Sequence, residues 1–128
     1  MLKDYKYDPM LGIEGNRRLY IGMILKNKRE SRGWSQKALS EYSKVSVEYI
    51  RRSENGYYSA GDSVDILCNF FGIDMIMINN EFKIIKDKAR IDELKKLVTK
   101  QKESLERGAL NLKSFESELS FLEGKYRL

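Results

Sequence analysis

Large side chains able to pack recur every seventh residue from Ile84 through Ile91, Val98, Leu105, Leu112 and Leu119 to Tyr126. Leu94, Phe115 and Leu122 fill the companion position three residues on, whose other places hold Asp87, Gln101 and Gly108. A seven-residue repeat sustained this long keeps one stripe of a helix turned toward a partner and imposes left-handed supercoiling. No helix can bury such a stripe by itself. The seam Ile91, Leu94, Val98, Leu105, Leu112, Phe115, Leu119 and Leu122 therefore demands a second helix, from another chain or from this chain folding back near Gly108. A lone glycine inside a helix costs only about 1 kcal/mol. We expect a continuous helix over 87–126, with a helical hairpin as its rival.

Upstream the pattern is shorter in reach. Residues 1–18 hold the only proline and no sustained period, and read as an N-terminal arm. Leu19, Tyr20, Met23 and Ile24 open a helix that runs to about Ser31, with Gly33 as its stop. Ser35 suits an N-cap for a helix marked by Ala38, Leu39 and Tyr42, and Ser46 suits another for a helix through Val47 and Ile50. Val64, Leu67, Cys68 and Phe71 have the spacing of a fourth, from about Asp62. The expected core is Leu39, Ile50, Val64, Leu67 and Phe71. Over 75–86, β-compatible residues flank Asn79-Asn80, which can turn tightly. This connector is predicted as a short β-hairpin, a fifth helix being the competing reading. The chain is thus mainly α: a compact domain of four to five helices over 19–74, then the connector, then the long C-terminal helix or hairpin.

Composition narrows the chemistry. Among 128 residues there is no histidine, which removes the commonest general base and metal ligand together. The single cysteine, Cys68, can form neither an internal disulfide nor a thiolate cluster, and its apolar neighbours make it a packing residue. With no glycine-rich phosphate loop and no acids at catalytic spacing, we expect no enzyme, no cofactor and no metal. No apolar run reaches 18 residues and the N-terminus is not signal-like, so we expect a cytoplasmic protein with no membrane partner. The net charge is +5, and the stretch from Arg17 to Arg32 alone carries six cations (Arg17, Arg18, Lys26, Lys28, Arg29, Arg32) against Glu30. Such a balance suits a polyanion.

The stretch SQKALSEYSKVSVEYIRRSENG, residues 35–56, carries a family resemblance. It resembles the helix-turn-helix of phage-repressor-like (XRE family) proteins through Ser35-Gln36, Leu39, Val45-Ser46, Ile50 and Glu54-Asn55-Gly56, and the likeness extends over roughly 19–74. The resemblance implies a DNA-reading domain with a structural ion pair between Arg29 and Glu54. Val47, Glu48 and Arg52 take base-reading positions. Gln36, Ser46 and Asn55 take phosphate-contacting ones, with Arg51, Lys37 and Lys28 adding attraction to the backbone. Three departures stand out: Ser40 replaces alanine where two helices cross, Lys44 replaces the turn glycine, and residues 57–61 lack the usual proline and basic residues. A left-handed Lys44 would carry strain of about 1 kcal/mol.

The residue chemistry agrees with those roles. An α-helix fits the major groove of B-DNA with its first residues against base edges. Arginine can bond guanine O6 and N7, glutamate can accept from cytosine N4, and valine can pack a thymine methyl. Glu48 is also favoured in a first helical turn by the helix dipole alone, and Trp34 and Tyr57-Tyr58 read as packing rather than stacking platforms. The expected function is a sequence-specific regulator of transcription, a repressor acting on double-stranded DNA as a homodimer joined through the C-terminal helix. The alternative is an antitoxin-like or adaptor protein whose C-terminal helix binds a protein partner.

Overall fold

The structure, a computed structural model, describes residues 5–58, 64–103 and 109–126, with backbone alone for 101–103 and 109–113. Among these lie α1 (Gly12–Ser31), α2 (Gln36–Ser43), α3 (Val47–Glu54), α4 (Val64–Phe70), α5 (Met75–Glu103) and α6 (Ala109–Tyr126). Two compact units divide within α5, after Phe82.

In the first unit α1 begins at Gly12, well before the expected start near Leu19, and the arm ahead of it is tied down. The fastening is Asn16, fully buried on α1. Its Oδ1 accepts from Tyr5 Oη and from the Asp8 N–H, each at 2.8 Å. Its Nδ2 donates to the carbonyls of Asp8 at 2.8 Å and Gly12 at 2.5 Å. Every donor and acceptor of the amide is used.

The core collects Tyr20, Leu25, Leu39, Ile50 and Leu67, with Val64 and Phe71 also buried, so all five expected core residues are inside. Ser35 Oγ accepts from the Ala38 N–H at 3.0 Å and Ser46 Oγ from the Tyr49 N–H at 3.2 Å, capping α2 and α3 as their sequence implies. Helices α1 and α3 approach so closely at Gly22 that a Cβ there would stand 2.6 Å from the carbonyl oxygens of both Ser53 and Glu54. Only glycine fits that crossing.

Residues 75–86 are helical, which overturns the expected β-hairpin. Asp74 Oδ1 accepts from the Ile76 N–H at 2.9 Å and starts α5. Ile78, Phe82 and Ile85 are then buried at helical spacing. Tertiary bonds decide the rest. Arg17 donates from Nη2 to Asn79 Oδ1 at 3.0 Å, and Tyr20 Oη donates to Glu81 Oε2 at 2.5 Å. The asparagine that favours a turn in isolation is held here as one face of a helix, an override of weak local preference by packing.

In the second unit α6 runs back antiparallel along α5. Lys125 Nζ lies 3.0 Å from Asp87 Oδ2, Tyr126 Oη donates to the same oxygen, and Arg90 Nη2 lies 2.8 Å from Glu118 Oε2. Ile91, Leu94 and Leu122 form a buried cluster against Phe115, Leu119 and Tyr126, and Val98 is buried as well. The seam is therefore closed by the chain's own second helix, correcting the preference for a continuous one. Leu105 and Gly108 lie outside the described residues, and of Leu112 only the helical backbone is described. Asp87, a charge in a seam position, is opposed by burial, but bonds from Tyr126 and Lys125 hold its carboxyl below the usual range.

Candidate nucleic-acid interface

Helix α2, its turn and α3 are held to α1 by one buried ion pair. Arg29 Nε lies 2.7 Å from Glu54 Oε2 and Nη2 lies 3.0 Å from Oε1, a two-pronged arrangement. Arg29 Nη1 also donates to the Trp34 carbonyl at 2.8 Å. The Glu54 hydrogen bond raises the guanidinium's already high pKa, so Arg29 stays charged at any physiological pH. The expected partnership is present, and it has a third member. Gln36 Nε2 donates to Glu54 Oε1 at 3.1 Å, linking the start of α2 to the end of α3.

The turn between the helices rests on Lys44. Its φ of 66° and ψ of 15° put a non-glycine residue in the left-handed region, and its N–H closes α2 by donating to Ser40 O at 2.9 Å. Val45 tucks inward behind it. The departure from glycine therefore leaves the turn's geometry intact and loads it with strain.

Helix α3 divides by face. Ile50, Ser53 and Glu54 are buried, and Ser53 Oγ has no hydrogen-bond partner among the described residues. Val47 is 40% exposed, and Glu48, Arg51, Arg52 and Asn55 are exposed with it. Glu48 and Arg51 are engaged with each other: Arg51 Nε donates to Glu48 Oε2 at 3.1 Å and Nη2 to Oε1. That bond is the main cause of the Glu48 carboxyl lying below its ordinary range. Arg52 makes no ion pair among the described residues. Around the helix, Ser46 and Lys37 are exposed, while Gln36 and Lys28 are half-buried. Two of the cations expected to attract a polyanion are used elsewhere, since Arg17 binds Asn79 and both Arg17 and Arg18 lie within 4 Å of Glu14.

Residues 25–77 match the family model described as Helix-turn-helix. This segment is a helix-turn-helix domain of the XRE type. No curated protein and no solved structure matches the chain. The helix-turn-helix domain supports a DNA-binding regulator. The matched segment starts inside α1 and ends inside α5, so the fold extends past it on both sides. No helix among the described residues is long and apolar enough to cross a membrane. Sequence reasoning missed Asn16, Gly22 and the Tyr20–Glu81 bond, none of which has a local signature. The Glu48–Arg51 pair was within reach, because oppositely charged residues three apart on a helix are neighbours.

Proposed function

We propose that the protein is a sequence-specific repressor of transcription that acts in the cytoplasm, as a dimer on a palindromic operator, with α3 in the major groove. The observation that carries this reading is the outward face of α3, where Val47, Glu48, Arg51 and Arg52 project from a helix anchored behind by Ile50 and Glu54. In it Arg52 bonds a guanine edge, Glu48 accepts from a cytosine and Val47 packs a thymine methyl. Gln36, Ser46, Asn55, Arg51, Lys37 and Lys28 hold the phosphate backbone and make affinity fall with salt. One eight-residue helix reads only a few base pairs, so two copies set α3 helices about 34 Å apart in successive grooves. The second copy is recruited through the hairpin over 83–126. Its Phe115 and Leu119 stay half-buried beside the closed seam, and Phe121 is 70% exposed.

Selection of preferred sites from random duplexes, with mass measured in solution on the same sample, tests every part. A symmetric site bound by a dimer is the expected result. Arg52→Ala should relax preference at one base pair in each half-site by about 1–3 kcal/mol. Gln36→Ala should weaken all sites alike. Undiminished binding after both substitutions overturns the docking, and a monomer on DNA overturns the dimer.

A further inference from the structure

Away from α3, the first unit carries an aromatic surface that the DNA-reading role leaves unused. The Trp34 ring stacks on Tyr42, with centroids 4.6 Å apart and planes at 29°. Phe70 of α4 lies 6.1 Å from Trp34 and 5.3 Å from Phe71. Tyr42 is 60% exposed and Phe70 is 39% exposed, and Ile66, one helical turn before Phe70, is 52% exposed. Scattered exposed apolar residues are ordinary, but rings in mutual contact across two helices and a loop make a contiguous patch. A cation completes it. The Arg32 guanidinium lies 5.6 Å from the Trp34 ring centre and 4.8 Å from that of Phe71.

Stacking fixes that guanidinium without consuming its hydrogen-bond donors. Nη1 donates to the Lys28 carbonyl at 3.1 Å, and Arg32 has no carboxylate partner among the described residues. A positioned, unneutralised guanidinium beside open rings is complementary to a carboxylate adjoining apolar side chains. The patch is an open surface, whereas a small cavity of this unit is lined elsewhere, by residues such as Arg17, Tyr58 and Met75. An open face suits a length of polypeptide better than a small molecule.

We propose that the Trp34–Tyr42–Phe70 surface, with Arg32 at its edge, docks an acidic segment of a protein partner, one that sets apolar or aromatic side chains beside Asp or Glu. This goes beyond the operator reading and does not depend on it, because no residue of α3 takes part. A second copy of this chain is the weaker occupant, since it would present another Arg32 to the first.

Trp34 is the only tryptophan, so emission from the full-length protein reports on this surface. It would be titrated with a synthetic twelve-residue peptide of Glu, Leu and Phe. The controls are its counterpart with Lys in place of Glu, poly-glutamate, and a single-stranded oligonucleotide. Saturable change with the Glu-Leu-Phe peptide, at least tenfold weaker with the other three, is the expected result. Arg32→Glu should abolish that response and create one to the Lys-containing peptide, while Tyr42→Ser should weaken it at least fivefold with unchanged far-ultraviolet circular dichroism. No response to the acidic peptide, an equal response to the basic one, a preference for the oligonucleotide, or an unaltered response in Arg32→Glu would each overturn the proposal. Loss of operator binding with the peptide response intact would instead count against the DNA reading alone.

Discussion

The side-chain amide of Gln36 donates to the same Glu54 oxygen that receives Arg29 Nη2, at 3.1 and 3.0 Å respectively. One carboxylate thus serves α1, α2 and the end of α3 together. Its ion pair is almost wholly buried, with side-chain exposures of 10% for Arg29 and 3% for Glu54.

Removing one member of that trio should be far worse than removing another. Glu54→Ala leaves a buried guanidinium without its counter-charge and should cost about 3–5 kcal/mol. Gln36→Ala removes a single hydrogen bond at the rim and should cost about 1 kcal/mol. Replacing Arg29 by Met and Glu54 by Leu together should cost less than Glu54→Ala alone. Urea unfolding of the four proteins orders them, and equal losses for Glu54→Ala and Gln36→Ala would contradict the arrangement.

The crossing of α1 and α3 predicts opposite outcomes for two small substitutions. Gly22→Ala drives a methyl against the backbone oxygens of Ser53 and Glu54, which no side-chain rotation can relieve. A loss of about 3 kcal/mol is expected. Ser53→Ala deletes a buried hydroxyl that has no partner among the described residues. It should be neutral or stabilising by up to about 1 kcal/mol. Thermal unfolding of both variants checks the pair.

Lys44 is the strained point of the turn. Lys44→Gly relieves a left-handed penalty of about 1–2 kcal/mol against an unfolded-chain entropy cost of about 0.4–1 kcal/mol. A net gain of roughly 0.5 kcal/mol should appear as a raised midpoint. Lys44→Ala keeps the strain and should give no gain. A midpoint raised equally by both would show that the left-handed backbone is not the cause.

Docking of the arm should weaken in strong alkali. Burial, with smaller effects from Tyr7 and Asp8, pushes the Tyr5 hydroxyl up to about 12 from 10.0. A raised folded-state value means that this stabilisation is whole below pH 10 and is lost as pH rises through about 12. Tyr5→Phe, which removes the donor to Asn16, should cost about 1 kcal/mol near neutral pH and flatten the alkaline loss. Stability measured across that range in both proteins makes the comparison. A parallel decline would exclude Tyr5 as its source.

What could be read from the chain was what its neighbours in sequence decide. Ser35 and Ser46 cap the helices that follow them, and the positions of Leu39, Ile50 and Leu67 already name the core. The outward set on α3 follows from where Ile50 must point. What could not be read depends on contacts distant along the chain. Asn79 looks like a turn until Arg17 donates to its side-chain Oδ1. A seven-residue repeat gives the same pattern for helices in one chain or two, so the return of α6 is evident only from pairs such as Asp87 with Lys125. Asn16 carries no mark of its role, because its partners beyond α1, Tyr5 and Asp8, lie in an arm with no periodicity of its own.

The fastening of residues 5–8 on Asn16, with that of Asn79 and Glu81 on α1, bears on where the chain can be cut. A fragment trimmed to the recognisable stretch 25–77 discards Tyr20 from the core and Gly22 from the crossing. Anyone grafting a new reading head onto another protein should therefore join ahead of Tyr5 and beyond Phe82, carrying along flanks that touch none of the surfaces being redesigned.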